Sequence, residues 1–473
     1  MSAKNLDFLA RLDGVAQAEL VARGELRETE LLDACATRVE RCEPLIHSIV
    51  TLDWQRARAF EPKEGPFKGV PTLLKDAFPY PGLRWSMGSR LFAQNMQAPP
   101  TPYAERIDRS GLVVIGKSAT SEFGLLGSTE TLQEGITHNP WDLSRSAAGS
   151  SGGAAAAVAA GIVPLAHAND GGGSIRIPAS VCGVFGFKPS RGRCVPANPG
   201  GSEFLALLSD HCVSRSVRDS ALFLSVTEAQ GGPLPALGYV REASRKRLRI
   251  GAFTRSAQGD EPDPTVLRAF DEAVALCTAL GHEVRAITTP AVDGFRLGDA
   301  FFLSAGAMMT GMTKMIGGMR GAAVRDDELE PFTWALIREF ERRGAQALID
   351  ARATFERATH EYVRAFADCD VLLTPTLSEL PWRLGHLSPL LAYDELLART
   401  ARAVGYTPIH NASGCPGMSV PLHWSAENLP IGVHFAANVG GDETLLGLAY
   451  ELEAAQPWRE RWAPYSFPSI IQR

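Results

Sequence analysis

No run of eighteen consecutive apolar residues occurs in this 473-residue chain, so it offers no candidate for a membrane-spanning helix. Cysteine is sparse. The eight present, at 35, 42, 182, 194, 212, 277, 369 and 415, form no CxxC pair and stand at no zinc-like spacing with histidine. That pattern argues against a disulfide framework and a metal-bound fold. No excess of either charge exists: the net is −6 with both signs interspersed, so neither nucleic acid nor an anionic membrane is an expected partner. The opening MSAKNLDFLARLDGVAQ lacks the charged-then-apolar layout of a secretion signal, and the expected location is the cytoplasm. Internal repeats and low-complexity tracts are missing too.

What is present is an ordinary globular composition, 45% hydrophobic and 21% charged, in a chain long enough for one large domain or several small ones. Leu6, Leu9, Leu12, Leu20, Val21, Leu31 and Leu32 recur at helical spacing, so residues 1–60 read as N-terminal helices. From about residue 65 short β-like runs alternate with helices: "GVPTLLKD", "LVVIGKS", "IVPLAHA", "LRIGAFT", "DVLLTPT", "GMSVPL" and "LPIGVHFAAN". The alternation points to a single α/β body with a largely parallel or mixed sheet, and the fold expected once the motifs below are taken in is a central mixed sheet covered by helices on both sides. Residues 285–400 read as a variable, mainly helical region.

Two short motif matches point elsewhere. "GLVVIGKS", Gly111 to Ser118, fits the Walker A expression, but its central Leu-Val-Val-Ile is a buried strand and no phosphate cradle, which leaves a nucleotide-hydrolysing reading remote. Gly149-x-Ser151-x-Gly153 fits a nucleophile elbow, yet the polar "NPWDLSRSAA" stands where the preceding strand should be. A histidine partner for Ser151 would come from His360, His386, His410, His423 or His434, and nothing singles one out.

A third constellation joins three segments. Lys75 ends the apolar "GVPTLLK", Ser150 lies in "GSSGG", and Ser174 follows Gly171, Gly172 and Gly173. A serine hydroxyl needs a base to take its proton, and a lysine desolvated by an apolar lead-in loses enough basicity to serve. Three glycines in a row disfavour regular structure, and they suit a backbone that must bring bare N–H groups close to a ligand. Each part alone also reads blandly, as a solvated lysine or a surface turn.

Together, "GPFKGVPTLLKDAF", "GITHNPWDLSRSAAGSSGGAAAAVAAG" and "NDGGGSIRIPASVCGVFGFKPSRGR", then "SRSVRD", "DVLLTPT", "NASGCPGMSVPL" and the closing "LPIGVHFAANVGGDETLLGLAYELE", resemble the amidase signature family of serine hydrolases. Within it "AHANDGGGSIRIPASVCGV" and "RSVRD" look most like the branch that hydrolyses the 6-aminohexanoate cyclic dimer. The resemblance spans nearly the whole chain and is tightest over 65–220, the signature core.

The resemblance implies a Ser–cis-Ser–Lys triad: Ser174 as nucleophile, Ser150 as bridging serine after a cis Gly149–Ser150 bond, and Lys75 as base. It also implies an oxyanion hole of backbone amides from Gly171, Gly172, Gly173 and Ser174. Asp170 and Arg176 are expected to pin that loop by hydrogen bonds, and Asp76 to do the same beside Lys75. Three positions depart from the family pattern, Ala148, Asn169 and Gly171; none is expected to touch the triad, and Gly171 is expected to loosen the loop.

The expected partner is a small amide-type substrate, with a homodimer left open. Linear amide, cyclic amide, ester, anilide and carbamate all suit the same carbonyl chemistry. The apolar Phe301, Phe302, Met308, Met309, Met312, Met315 and Phe332 are expected to supply one pocket wall, with core packing as the alternative. A glutaminase subunit of an amidotransferase is the competing function.

Overall fold

The computed structural model describes residues 6–197 and 204–472. Parts of two expected segments, 1–5 of the N-terminal helices and 198–203 of the signature core, lie outside the described residues, as does residue 473.

The larger of the two main sheets has eight strands. In spatial order they are Glu283–Ala286, Arg249–Ala252, Val371–Pro375, Pro430–Ala436, Gly417–Trp424, Phe185–Lys188, Ser209–Ser214 and Leu165–Asp170. The first three run parallel and every later pairing is antiparallel, so the sheet is mixed. Alternation along the strands sends neighbouring side chains to opposite faces. Val371 and Leu373 pack with the helices Val217–Thr227, Pro264–Ala279 and Asp442–Ala455, whereas Leu372 joins Tyr362 and Ile409 on the other side. Helices therefore cover both faces, as the sequence predicts.

A second sheet of three strands, ordered Ile49–Leu52, Val113–Ser118, Pro71–Lys75, lies against the edge strand Leu165–Asp170. Side chains join the two sheets there: Thr72 Oγ1 donates to Leu165 O at 3.0 Å, and the Lys75 amide donates to His167 Nδ1 at 3.3 Å. The Walker-like segment is the buried strand Val113–Ser118, and Lys117 Nζ donates to the Phe78 carbonyl. A strand at full burial has no free loop for phosphate, so that reading ends here.

The run GGAAAAVA forms the helix Gly152–Ala159, apolar all round and wholly buried. Ser151 occupies its cap position, but the hydroxyl donates to Asn169 O at 3.2 Å instead of capping the helix. The region 285–400 is mainly helical: Gly294–Arg320, Pro331–Val363 broken at Gly344, and Tyr393–Ala403.

Candidate active site

Lys75 closes a five-residue strand whose every residue is buried. Its Nζ is 2.6 Å from Ser150 Oγ and donates to Asn169 Oδ1 at 2.7 Å. Burial brings the amine down to about 7 although the Asp170 and Asp210 carboxylates pull the other way, so near neutrality a large share of it carries a lone pair. Asn169 thus meets Lys75 directly, contrary to the sequence expectation that none of the three departures touches the triad. As the residue before Asp170 on the strand Leu165–Asp170, it turns its amide toward the neighbouring sheet, a placement no local spacing reveals.

Ser150 follows a cis Gly149–Ser150 peptide bond. A Cβ on Gly149 would stand 2.6 Å from Ser128 O, so only glycine fits beside that backbone. Ser174 is half-buried and faces the main cavity. Among the described residues Ser174 Oγ makes no hydrogen bond, so the expected Ser150–Ser174 link is not closed. Ser151 is fully buried with its hydroxyl donated to Asn169 O, and no histidine bonds to it, which removes the elbow reading.

Asp170 organises the glycine loop. Its carboxylate accepts from the amides of Gly173 at 2.7 Å and Ile175 at 3.1 Å, and from Arg176 Nε and Nη2, both at 2.9 Å. Burial opposes the charge on Asp170, but the Arg176 guanidinium overcomes it and holds the carboxyl well below the usual range. Arg176 reaches on to His410 Nδ1 at 3.0 Å, His434 Nε2 at 3.2 Å and Thr407 O at 3.0 Å. Asn411 Nδ2 donates to Asp170 O at 2.7 Å and to Asp170 Oδ1 at 3.0 Å. Asp76 is buried and accepts from the Ser86 amide at 2.9 Å and hydroxyl at 2.6 Å.

This geometry corrects two expectations. The Gly173 amide is committed to Asp170, which removes it from the set free to meet an oxyanion. Among the described residues the amides of Gly171, Gly172 and Ser174 have no protein partner, and of these Gly172 and Ser174 line the cavity. Nor is the loop loosened at Gly171. A Cβ there would lie 2.7 Å from Leu208 Cδ2, so Leu208 already fills the space a branched residue would take.

The cavity over Ser174 has a volume of about 350 Å³. Its wall comes from Leu125 and Leu126, from Phe301 and Phe302, and from Leu397 and Val404. Met308, Met309, Met312, Met315 and Phe332 do not line it. Met309 and Phe332 are buried in the core, Met308 and Met312 pack onto that core, and Met315 is exposed. For the methionines the reason is length: the 27-residue helix Gly294–Arg320 runs about 40 Å, and only its first third reaches the site, whereas Phe332 lies on the helix Pro331–Val363 with its side chain in the core. Among the lining residues that sequence reasoning missed are Gln258 and Thr400, and each holds a buried oxygen, Oε1 and Oγ1, with no hydrogen bond to the described residues.

Among the described residues no group of three or more His, Cys, Asp or Glu is placed to hold a metal ion, and no helix is long and apolar enough to cross a membrane.

The profile of the Amidase family matches residues 30–446. A Mycobacterium leprae protein named as an amidase, AmiC, is 35% identical over 96% of this chain and 97% of its own. The 6-aminohexanoate-cyclic-dimer hydrolase of Paenarthrobacter ureafaciens is 33% identical over 95% and 96%. A solved structure of 6-aminohexanoate cyclic dimer hydrolase complexed with substrate superposes with a TM-score of 0.89 at 30% identity, covering 96% of this chain and 99% of that one. A bacterial aryl acylamidase shares the fold with a TM-score of 0.84 at 24% identity. Profile, relatives and fold agree over almost the full length, and the chain belongs to the amidase signature family, hydrolases that act on amide bonds.

Proposed function

We propose that this enzyme cleaves apolar secondary or cyclic amides through a Ser174 acyl-enzyme, with Ser150 and Lys75 as its proton relay. The observation that carries the reading is the 2.6 Å contact of Lys75 Nζ with Ser150 Oγ, in a buried setting next to a cavity faced by Ser174. Neutral Lys75 takes the Ser150 proton while Ser150 takes that of Ser174. Ser174 Oγ bonds to the amide carbon, and the resulting oxyanion rests on the amides of Gly172 and Ser174. One such donor is worth about 2.7–4 kcal/mol in a transition state.

The C–N bond then breaks as the relay returns the proton to the leaving amine. Water attacks the ester, its proton enters the relay, and release of the acid restores Ser174. No metal or organic cofactor has a part in these steps. The same carbonyl chemistry extends to esters, anilides and carbamates. The reading includes a cytoplasmic enzyme with no nucleic-acid or membrane partner, and a homodimer is compatible with it.

Two features support apolar groups on both sides of the carbonyl. The wall is hydrocarbon for most of its extent, and Gly172 opens toward Phe301, whose nearest ring atoms would be 3.4 Å from a Cβ placed there. A small polar amide such as glutamine would leave that surface uncovered. The test is kcat/KM of the purified chain on an alkyl or aryl anilide and a cyclic oligoamide, against acetamide and glutamine. The bulky substrates should win; preference for glutamine would point to an amidotransferase subunit instead.

A further inference from the structure

The peptide unit between Gly172 and Gly173 is held at both ends. Its carbonyl accepts from Thr407 Oγ1 at 2.7 Å, and its N–H donates to Asp170 Oδ1 at 2.7 Å. The two holders are themselves joined. Arg176 Nη2 donates to Asp170 Oδ1 at 2.9 Å and to Thr407 O at 3.0 Å. Four hydrogen bonds therefore close a ring, from Gly173 to Asp170, Arg176, Thr407 and back to Gly172. Thr407, Asp170 and Arg176 are all fully buried.

A peptide unit is planar, so fixing its carbonyl and its N–H fixes its rotation. The units on either side share a Cα with it, and they carry the Gly172 and Ser174 amides. Their freedom is then confined to the torsions at Gly172 and Gly173. Gly173 has φ +134°, and a Cβ on it would collide with Thr407 Oγ1 and Ile177. Asp170 and Arg176 lie within six residues of the loop, whereas Thr407 arrives from a segment 235 residues later. The adjacent Pro408 and Ile409 line the cavity.

We propose that Thr407 is a positioning residue for the oxyanion-binding amides: its hydroxyl fixes the Gly172–Gly173 unit so that the flanking N–H groups of Gly172 and Ser174 face the reacting carbonyl. It touches no reacting atom and acts through Gly172. The inference rests on Ser174 being the nucleophile. Loss of the hydroxyl frees the unit to rotate, which weakens binding of the charged transition state more than binding of the neutral substrate.

The experiment compares Thr407→Val, Thr407→Ala and Thr407→Ser with the parent on one anilide, and measures inhibition by an alkyl boronic acid, whose tetrahedral adduct imitates the oxyanion. Thr407→Val and Thr407→Ala should lower kcat by about tenfold to a hundredfold with KM within about twofold, and should weaken the boronic acid in parallel. Thr407→Ser, which keeps the hydroxyl, should restore most of kcat. The proposal is overturned if the Val and Ala variants turn over like the parent, if the Ser variant is equally impaired, or if the loss falls on KM alone. Failure of both hydroxyl-free variants to fold also counts against it, because the hydroxyl is then a structural tie. A parent inert toward every amide would instead defeat the functional reading, so the two failures are distinguishable.

Discussion

The amine of Lys75 donates to Asn169 Oδ1 at 2.7 Å while lying 2.6 Å from Ser150 Oγ. A neutral amine has two N–H bonds and one lone pair. With Asn169 holding one N–H, the lone pair is left for the Ser150 proton. Asn169→Asp puts a carboxylate at the same contact and stabilises the ammonium. The acid limb of kcat/KM should move upward by a pH unit or more, with activity recovered in alkaline buffer. An unmoved profile would show that Asn169 leaves the base untouched.

Members of one proton relay fail together. Ser174→Ala, Ser150→Ala and Lys75→Ala should each lower kcat by about a thousandfold or more, and the triple variant should be little worse than the worst single one. A serine-directed phosphonate should label Ser174 and spare Ser151. Additive losses, or a label on Ser151, would break the assignment.

The neutral form of Lys75 increases as pH rises through about 7, so kcat/KM should climb across that range to an alkaline plateau. The same amine links folding to pH. Its value when unfolded is near 10.4, so between about 10 and 7 the unfolded chain binds a proton that the native chain does not. Stability from this group is therefore fully present above the unfolded value and is lost as pH falls toward 7. Lys75→Met lacks the effect, so its Tm relative to the parent should be higher at pH 7 than at pH 9.5. A difference independent of pH would contradict the depressed amine. EDTA should leave the rate unchanged, since the relay and the amides supply the base and the charge stabilisation.

Thr400 Oγ1 is a buried hydroxyl with no hydrogen-bond partner among the described residues. Removing such a group without changing shape relieves its desolvation cost. Thr400→Val should keep or raise Tm and keep or raise kcat/KM on wholly apolar amides. A lower Tm would reveal a partner that the hydroxyl acquires in solution.

How much of this was legible depended on sequence distance. Lys75, Ser150 and Ser174 read blandly one by one, and only the long motifs around them singled them out, while the alternating strands announced an α/β body without deciding between a parallel and a mixed sheet. Thr407, Asn411 and Gln258 sit in segments whose spacing carries no catalytic sign; only folding brings them to the loop or the cavity. The methionines misled because helical spacing reveals a stripe but not what it faces, and beyond its first third the helix Gly294–Arg320 has passed the cavity. Gly171 misled because the sequence shows a missing side chain, not the Leu208 that fills its place.

The topology of the large sheet has a consequence for biosynthesis. Its middle strands, Pro430–Ala436 and Gly417–Trp424, are the last of its strands to be translated, and they separate Val371–Pro375 from Phe185–Lys188. A ribosome that has passed residue 174 has already delivered Lys75, Ser150 and the glycine loop, yet of this sheet only Leu165–Asp170 has been made and Thr407 does not yet exist. The nascent chain therefore carries Ser174 for more than two hundred residues before the Thr407 hydroxyl that holds the Gly172 carbonyl is made.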